Sequence, residues 1–309
     1  MAFLSRMRSV MSITKKQSLA YAHLHECNQC SRSCRVNRDE KPGVCVIGAD
    51  TVKHFREDYR AVFPGHNGSG GVFFSGCNLR CTFCQNHERN GFDLTPDGLA
   101  ECYMKLQPTG KRHNIHRVTP EQRRPQVVVL ILRAHEIGLR IPIIYNTSSF
   151  HSLESKRLLD GLIDIYLPDC KVWDEKTSTR LPQANNYTAT AMESIKGMRA
   201  QVGDLWFTKE VMEKKVVVRE MVKWLAVNVS KDILVHIVDQ YYPRTHVGKE
   251  CRRNRVTELG ALGVKASDTA KKEIRYADVN RPVSEGEVSS ARTGPWRFVD
   301  EARNGGFNI

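Results

Sequence analysis

Three closely spaced cysteines, Cys77, Cys81 and Cys84, are the residues of this sequence whose types and spacing most clearly indicate chemistry. Their C-x3-C-x2-C pattern can bring three thiolates to one soft metal centre. Common structural zinc and iron–sulfur sites use four protein ligands, so a compact triplet indicates a cluster with one iron left open for another ligand. A zinc site completed by a distant histidine such as His87, or three free buried thiols, are the alternatives.

A second group of four cysteines precedes the triplet. Cys27, Cys30, Cys34 and Cys45 have the spacing C-x2-C-x3-C-x10-C, and Gly43 stands just before the last of them in a turn-like setting. Four thiols at such spacings are a strong indication of a metal site. The ligand count fits either zinc or a fully ligated second iron–sulfur cluster, and the spacing does not choose between them.

Length, charge and composition limit the class of protein. The 309 residues suffice for one barrel-sized α/β domain with a small extension, or for two ordinary domains. No run of eighteen apolar residues occurs, so we expect no membrane partner. The formal charge of +13 favours a negatively charged partner. The basic stretch 249–275 has no interleaved aromatic residues, which argues against nucleic acid as that partner.

Compartment follows from cysteine use and from the amino terminus. The ten cysteines are clustered in a chain without a secretory leader, which indicates a reducing compartment and predicts a cytoplasmic protein. Residues 1–25 contain Arg6, Arg8, Lys15 and Lys16 and no acidic residue. This composition is that of a flexible basic tail or of a mitochondrial targeting segment, which makes the mitochondrial matrix the alternative.

Apolar strand-like runs alternate with helical patterns from about residue 71 onwards. Thr95 and Pro96 can start a helix that continues to Gln107, and another helix ends near Ile137 with Gly138 after it. Repeated strand–helix units predict a parallel sheet, closed as a barrel or open as a doubly wound sheet, with its chemistry at the carboxyl ends of the strands. The six strand candidates are Val72–Ser75, Asn114–Val118, Ile141–Tyr145, Ile163–Leu167, Val216–Arg219 and Ile233–Val238.

The cysteine triplet and several further segments resemble the radical S-adenosylmethionine superfamily, in its branch of pyruvate formate-lyase activating enzyme homologues. The similar segments are Ser75–Cys81, Tyr145–Ser148, Asp164–Lys171, Val238–Tyr241 and Asn280–Pro282, and Phe83 supplies the aromatic residue of the cluster motif. The resemblance implies a partial TIM-type (β/α)6 barrel with a small Cys-rich N-terminal segment. It divides the chain into 1–25, a Cys-rich segment and linker 26–70, the barrel 71–248, and a C-terminal insertion and barrel end 249–309.

The resemblance also implies an activity. A [4Fe–4S] cluster on Cys77, Cys81 and Cys84 would reductively cleave S-adenosylmethionine to a 5′-deoxyadenosyl radical, which abstracts hydrogen from the substrate. The electron would come from a donor such as flavodoxin or ferredoxin, and the substrate would be a glycine of a partner protein. A second iron–sulfur cluster or zinc would occupy the N-terminal cysteines.

By the same resemblance, five residues would contact the cofactor or a cation beside it: Phe83, Asn146, Thr147, Asp169 and Lys171. Lys171 could pair with the methionine carboxylate, while Asp169 and Thr147 could offer oxygen atoms to a cation. The simpler interpretation is that Asp169 and Lys171 only pair with each other.

Two features depart from the family pattern. The glycine-rich segment after the second barrel strand has no Gly-Gly-Glu, and the loop after Arg219 is short. Two other functions therefore stay open. One is a radical enzyme that acts on a small molecule or RNA, and the other is a catalytically degenerate, metal-bearing interaction protein.

Overall fold

The computed structural model of the chain describes residues 12–47, 52–59, 69–84, 92–107, 114–203, 225, 227–230, 246–252, 272–282 and 284. The helices, in chain order, are α1 (Ile13–His25), α2 (Pro96–Leu106), α3 (Arg124–Glu136), α4 (Leu153–Arg157), α5 (Glu175–Arg180) and α6 (Tyr187–Val202). The strands are β1 (Val52–Tyr59), β2 (Ser69–Phe74), β3 (Phe92–Leu94), β4 (Ile115–Val118), β5 (Ile143–Thr147), β6 (Ile165–Pro168), β7 (Glu250–Arg252) and β8 (Lys272–Ile274).

The main sheet has six strands in the order β3-β1-β2-β4-β5-β6. β2, β4, β5 and β6 are parallel to one another, whereas β1 is antiparallel to both β2 and β3. Helices connect the parallel strands, as an α/β protein requires. The four parallel strands confirm the predicted α/β class. The strand candidates 216–219 and 233–238 lie outside the described residues.

Local sequence explains where the central helices begin and end. The Thr95 hydroxyl caps α2 by accepting a hydrogen bond of 3.1 Å from the amide of Gly98, and Pro96 occupies its first turn. α3 follows a short 3-10 turn at Glu121–Arg123. After α3 the chain reverses at Gly138, whose φ of 107° is a conformation that suits glycine. The beginning of α2 and the end of α3 therefore agree with the sequence prediction.

The main core fills the space between one face of the sheet and helices α1, α2 and α3. Ile115 and Tyr145 belong to this core and are fully buried. Because side chains alternate along a strand, His116 on β4 and Ile144 on β5 point to the opposite face of the sheet. The register of the two strands pairs His116 with Ile144.

Residues 13–25, part of the segment 1–25 predicted as a flexible basic tail or a targeting segment, form helix α1. Ser12 caps the helix, and Lys16, Ala20 and Leu24 are buried. The Lys16 Nζ atom donates a hydrogen bond of 2.7 Å to the carbonyl oxygen of Asp160. The ammonium group of Lys16 is thus satisfied while its aliphatic stem packs inside the domain.

Strand β2 crosses the predicted boundary at residue 70. Residues 69–71, assigned to a linker and the start of the barrel, all lie in buried strand β2. β1, which falls inside the predicted N-terminal segment, pairs with β2 along the register His54↔Phe74 to Tyr59↔Ser69. The sheet therefore extends across the predicted boundary. In the described part of the chain, no helix has the length and apolar character needed to cross a membrane.

The predicted C-terminal insertion contains a small antiparallel ribbon formed by β7 and β8. Just before the ribbon, the amide of His246 donates a hydrogen bond of 3.0 Å to the carbonyl oxygen of Thr82 on the cysteine loop. Arg180 on α5 forms a salt bridge with Asp278 beyond the ribbon. The described C-terminal residues thus pack beside the loop that follows β2.

Candidate metal centre

The three predicted cluster ligands lie on one loop at the carboxyl end of β2. Cys81 is buried, Cys77 and Cys84 are half-buried, and none of the three is in a disulfide. The loop packs against a small apolar cluster that includes Leu79, Phe150 and Tyr187. The carboxyl edge of the parallel strands is where α/β proteins place ligands, so the loop has the position expected of a site.

The thiols on this loop are in an environment that opposes ionisation unless a cation is present. Burial raises the pKa of Cys81 to about 12, and Lys171 acts in the opposite direction. Burial also raises the pKa of Cys77, and the negative charge of Glu121 adds to this rise. A metal ion binds thiolates rather than thiols, so its positive charge would have to offset the cost of burying them.

The positive charge of Lys171 acts on both Cys77 and Cys81 and lowers the pKa of each thiol. Its Nζ atom lies 2.7 Å from an oxygen of Asp169, whose side chain is about half exposed. Burial lowers the pKa of Lys171, but Asp169 and the neighbouring Cys81 and Tyr187 outweigh burial and raise it overall. The ammonium group therefore stays charged. Because the Asp169 carboxylate is about half exposed, water can replace it as the partner of this ammonium group.

Tyr187, the first residue of α6, fixes the chain around Lys171. Its hydroxyl accepts a hydrogen bond of 3.0 Å from the Lys171 amide. The same hydroxyl lies 3.0 Å from the carbonyl oxygen of Ser148 and 3.1 Å from that of Asp169. One buried side chain thus ties together the ends of β5 and β6, where the predicted cofactor contacts occur.

The structure separates the predicted residues Asn146 and Thr147. Thr147 is fully buried, and its hydroxyl donates a hydrogen bond of 2.6 Å to Glu121. Asn146 is half-buried and, by strand alternation, faces the other side of the sheet with Val118, its partner on β4. Phe83 packs against the apolar cluster beside the cysteines. Thr147 therefore serves a buried network in this structure.

Glu121, His151 and Arg124 complete that network, and the sequence analysis did not find them. The Arg124 guanidinium contacts Nδ1 of His151, and Nε2 of His151 contacts the Thr147 hydroxyl. A guanidinium can only donate, so Nδ1 accepts and Nε2 carries the proton. Burial, reinforced by the charge of Arg124, lowers the pKa of His151 well below its usual value, which keeps the ring neutral.

The network reaches the cysteine loop through Ser148. Its hydroxyl lies 3.0 Å from Glu121 and 3.4 Å from the side-chain oxygen of Asn78, the residue after Cys77. The sequence signal for this arrangement was the spacing of Glu121 and Arg124, which puts opposite charges one helical turn apart directly after a strand. The spacing is not distinctive by itself, because charged residues at such positions are usually exposed.

The four N-terminal cysteines line one small pocket. Its other walls include Arg38, Asn78 and Gln122. The thiols are reduced, and burial raises the pKa of Cys30 to about 11. Gly43 permits Cys34 and Cys45 to approach, because a Cβ atom at position 43 would lie 3.1 Å from the Cys34 sulfur and 3.8 Å from the Cys45 sulfur. The chain thus gathers all four predicted ligands.

The donor chemistry of both cysteine groups fits a thiophilic metal. Within the described ranges, however, no three Cys, His, Asp or Glu side chains are arranged as a ligand set around one point. The thiols of either group would have to draw closer together to bind a metal. Residue 87, considered as a fourth ligand to zinc, lies outside the described residues.

No protein-family model matches the chain. A stretch of 187 residues is 27% identical to an uncharacterized protein, MJ0674, of Methanocaldococcus jannaschii. The match covers 56% of this chain and 53% of the relative, so the chain spans about half the length of the curated relative that it matches.

Proposed function

We propose that the chain is a radical S-adenosylmethionine enzyme whose [4Fe–4S] cluster is held by Cys77, Cys81 and Cys84. The observation that carries the proposal is the grouping of three reduced thiols on one loop at the carboxyl end of β2, beside the ammonium group of Lys171. Three thiolates satisfy three irons of a cubane cluster and leave the fourth iron open. When bound, the cluster and the cofactor supply a 5′-deoxyadenosyl radical that can abstract hydrogen.

The fold that fits this function is a partial TIM-type (β/α)6 barrel. β2, β4, β5 and β6 would be its first four strands, because they are parallel and in sequential order. The sequence predicts the last two strands at 216–219 and 233–238, which lie outside the described residues. His116 and Asn146 lie on the sheet face that would become the barrel interior.

Several residues have assignable roles in this proposal. Lys171 would exchange its contact with Asp169 for the carboxylate of the methionine moiety, because a charged ammonium on a partly buried stem binds an anion strongly. Asp169 would then be free to accept hydrogen bonds or to contact a cation. Phe83 would exclude water from the cluster, and the Tyr187 hydroxyl would hold the backbone of Lys171 in place.

The partners follow from the same chemistry. Reductive cleavage of S-adenosylmethionine needs one low-potential electron, which a flavodoxin or ferredoxin would supply. The substrate class that we propose is a backbone glycine of a partner protein. Reduced, clustered thiols fit the cytoplasm as the compartment.

The test is anaerobic reconstitution with iron and sulfide, followed by electron paramagnetic resonance of the dithionite-reduced protein with and without S-adenosylmethionine. We expect a reduced-cluster signal that changes when the cofactor binds, together with formation of 5′-deoxyadenosine. Cys81→Ser should abolish both results, whereas Cys102→Ser, a substitution on α2 away from the loop, should abolish neither. A cluster that ignores the cofactor, or zinc in place of iron, would leave a metal-bearing interaction protein as the function.

A further inference from the structure

The segment of residues 26–47 has too small a core to hold its own shape. It contains neither a helix nor a strand, and among its residues the buried apolar side chains are Cys27 and Ile47. Its chain is held by backbone hydrogen bonds such as the one of 2.9 Å from the Arg35 amide to the carbonyl oxygen of Cys27. Small segments of this kind ordinarily need a metal or disulfides to stay folded, and these cysteines are reduced.

The same segment lies directly against the loop that carries the cysteine triplet. Arg32, between Cys30 and Cys34, donates hydrogen bonds of 2.8 Å and 3.1 Å to the carbonyl oxygens of Asn78 and Leu79. These two carbonyls belong to the residues that follow Cys77. A single side chain of the N-terminal segment therefore holds the backbone between two ligands of the proposed cluster.

A second contact is made where the triplet loop begins. Gly76 has a φ of 83°, and a Cβ atom there would overlap Ile47 and lie 3.0 Å from the carbonyl oxygen of Cys45. The backbones next to Cys45 and Cys77 are thus in contact, with no room for a side chain between them. A glycine is required both by the positive φ and by this close approach.

Arg38 and Gln122 provide a third connection. Arg38 is buried and donates hydrogen bonds to the carbonyl oxygens of Ile47, at 3.2 Å, and Gln122, at 2.6 Å. The side-chain amide of Gln122 in turn donates hydrogen bonds to the carbonyl oxygens of Gly76, at 2.7 Å, and Thr119, at 2.8 Å. The N-terminal segment, the turn before α3 and the triplet loop are therefore one hydrogen-bonded unit.

We propose that Cys27, Cys30, Cys34 and Cys45 bind one tetrathiolate metal centre whose role is to hold the triplet loop in its binding conformation. Four thiolates occupy all coordination positions of a tetrahedral metal, so this centre has no open position for a substrate. Metal binding there stabilises the turns that carry Arg32 and Ile47, and through them the backbone from Gly76 to Leu79. The metal binding itself is independent of the proposed radical chemistry, whereas its consequence for cofactor chemistry rests on the proposed function.

The test uses zinc alone, in a full-length variant in which Cys77, Cys81 and Cys84 are all serine. Zinc can then bind only to thiols outside the triplet, and neither iron nor S-adenosylmethionine is involved. We expect one equivalent of zinc to bind, and the amide hydrogen exchange of residues 76–84 to slow by about tenfold, because local opening of that loop becomes less favourable. The further change Cys30→Ser should remove both effects.

The variants Arg32→Met and Arg35→Met both keep all four thiols. They therefore separate stabilisation of the triplet loop from metal binding by the N-terminal segment. Arg35 is exposed and pairs with Glu26, and its side chain makes no hydrogen bond to the triplet loop among those described. Zinc should bind to both variants. It should slow exchange of the loop amides in Arg35→Met as in the parent, but much less in Arg32→Met.

Two outcomes would overturn the proposal. If the triple-serine protein binds no zinc, the N-terminal cysteines are not a metal site. If zinc binds but leaves exchange of residues 76–84 unchanged, the site does not brace the loop. Neither outcome would contradict the proposed radical activity, because that activity is measured on the protein with the unmodified triplet, iron and S-adenosylmethionine.

Discussion

At the scale of single residues, Lys171 is compatible with two roles, an ion pair with Asp169 and a contact with a ligand carboxylate. Its 2.7 Å contact with Asp169 is the simple ion pair that the spacing allows. The same ammonium group also lies close enough to Cys81 to affect the pKa of that thiol. An ion pair with a half-exposed carboxylate is weak, so exchange for a ligand carboxylate costs little.

Replacing Lys171 by methionine separates the two interpretations. Lys171→Met keeps the apolar stem and removes the charge, so we expect the affinity of the iron-loaded protein for S-adenosylmethionine to fall by about 10- to 100-fold, the loss of one charge-assisted hydrogen bond. Calorimetric titration measures this change. Lys176→Met, on an exposed position of α5, is the control and should bind normally. Equal affinities in the two variants would mean that Lys171 only pairs with Asp169.

At the scale of secondary structure, strand β4 carries an uncommon buried charge. Arg117 is fully buried, and its guanidinium lies 5.7 Å from the centre of the Tyr145 ring on β5. Burial lowers the pKa of Arg117, which is a sign that its charge is poorly solvated, although the tyrosines around it act in the opposite direction. Within the described residues it has no ion-pair partner.

We expect Arg117→Met to stabilise the protein. Methionine can fill much of the same space beside Tyr103 and Tyr145 without a charge to desolvate. Replacing a buried ion pair by apolar residues is often neutral or stabilising by about 1 to 4 kcal/mol, and we expect a change of that order for this single buried charge. Urea unfolding of the two proteins at pH 7 gives the difference in free energy of unfolding. A large decrease in stability would show that the cation–aromatic contacts outweigh the cost of burial.

Helix α1 supplies the second test at this scale. Ala20 is fully buried in the main core, whereas its neighbour Tyr21 is 52% exposed. Ala20→Glu should lower the free energy of unfolding by about 3 kcal/mol or more, because it forces a carboxylate against the core. Tyr21→Glu introduces the same side chain on the solvent face and should change stability by less than about 0.5 kcal/mol. Similar small effects for both would mean that α1 does not pack on the domain.

At the scale of the whole molecule, buried neutral histidines link stability to pH. Burial lowers the pKa of His116 to about 4, against a partial opposing effect of Asp169. The unfolded chain therefore binds a proton at this position between pH 6.5 and about 4, where the folded chain does not. Stability is retained above pH 6.5 and is lost as pH falls through that window.

We expect His116→Gln to weaken this acid sensitivity. Each such histidine contributes a slope of up to about 1.4 kcal/mol per pH unit inside its window, so the variant should lose less stability between pH 6.5 and 4.5 than the parent. Urea unfolding at several pH values measures the slope. His246→Gln, at an exposed position, should keep the slope of the parent. An unchanged slope in His116→Gln would show that other groups account for the acid sensitivity.

Some of the fold and of the candidate site could be read from local sequence. The helix beginning at Thr95 and Pro96 was predictable because capping and proline placement act over a few residues. The four described parallel strands were predictable because each contains a short run of apolar residues. β1 was not, because Val52–Tyr59 is rich in charged residues and becomes a strand only through its antiparallel pairing with β2.

The sequence alone determined which thiols form two groups and that the first group follows a strand, since both facts depend on spacing along the chain. Tertiary structure decided that the two groups are neighbours, because Arg32 meets Asn78 and Cys45 meets Gly76 only after folding. It also decided that Thr147 turns into a buried network with Glu121 and His151. Which side chains meet across 26 or more residues depends on how strands and helices pack, and no local pattern records that packing.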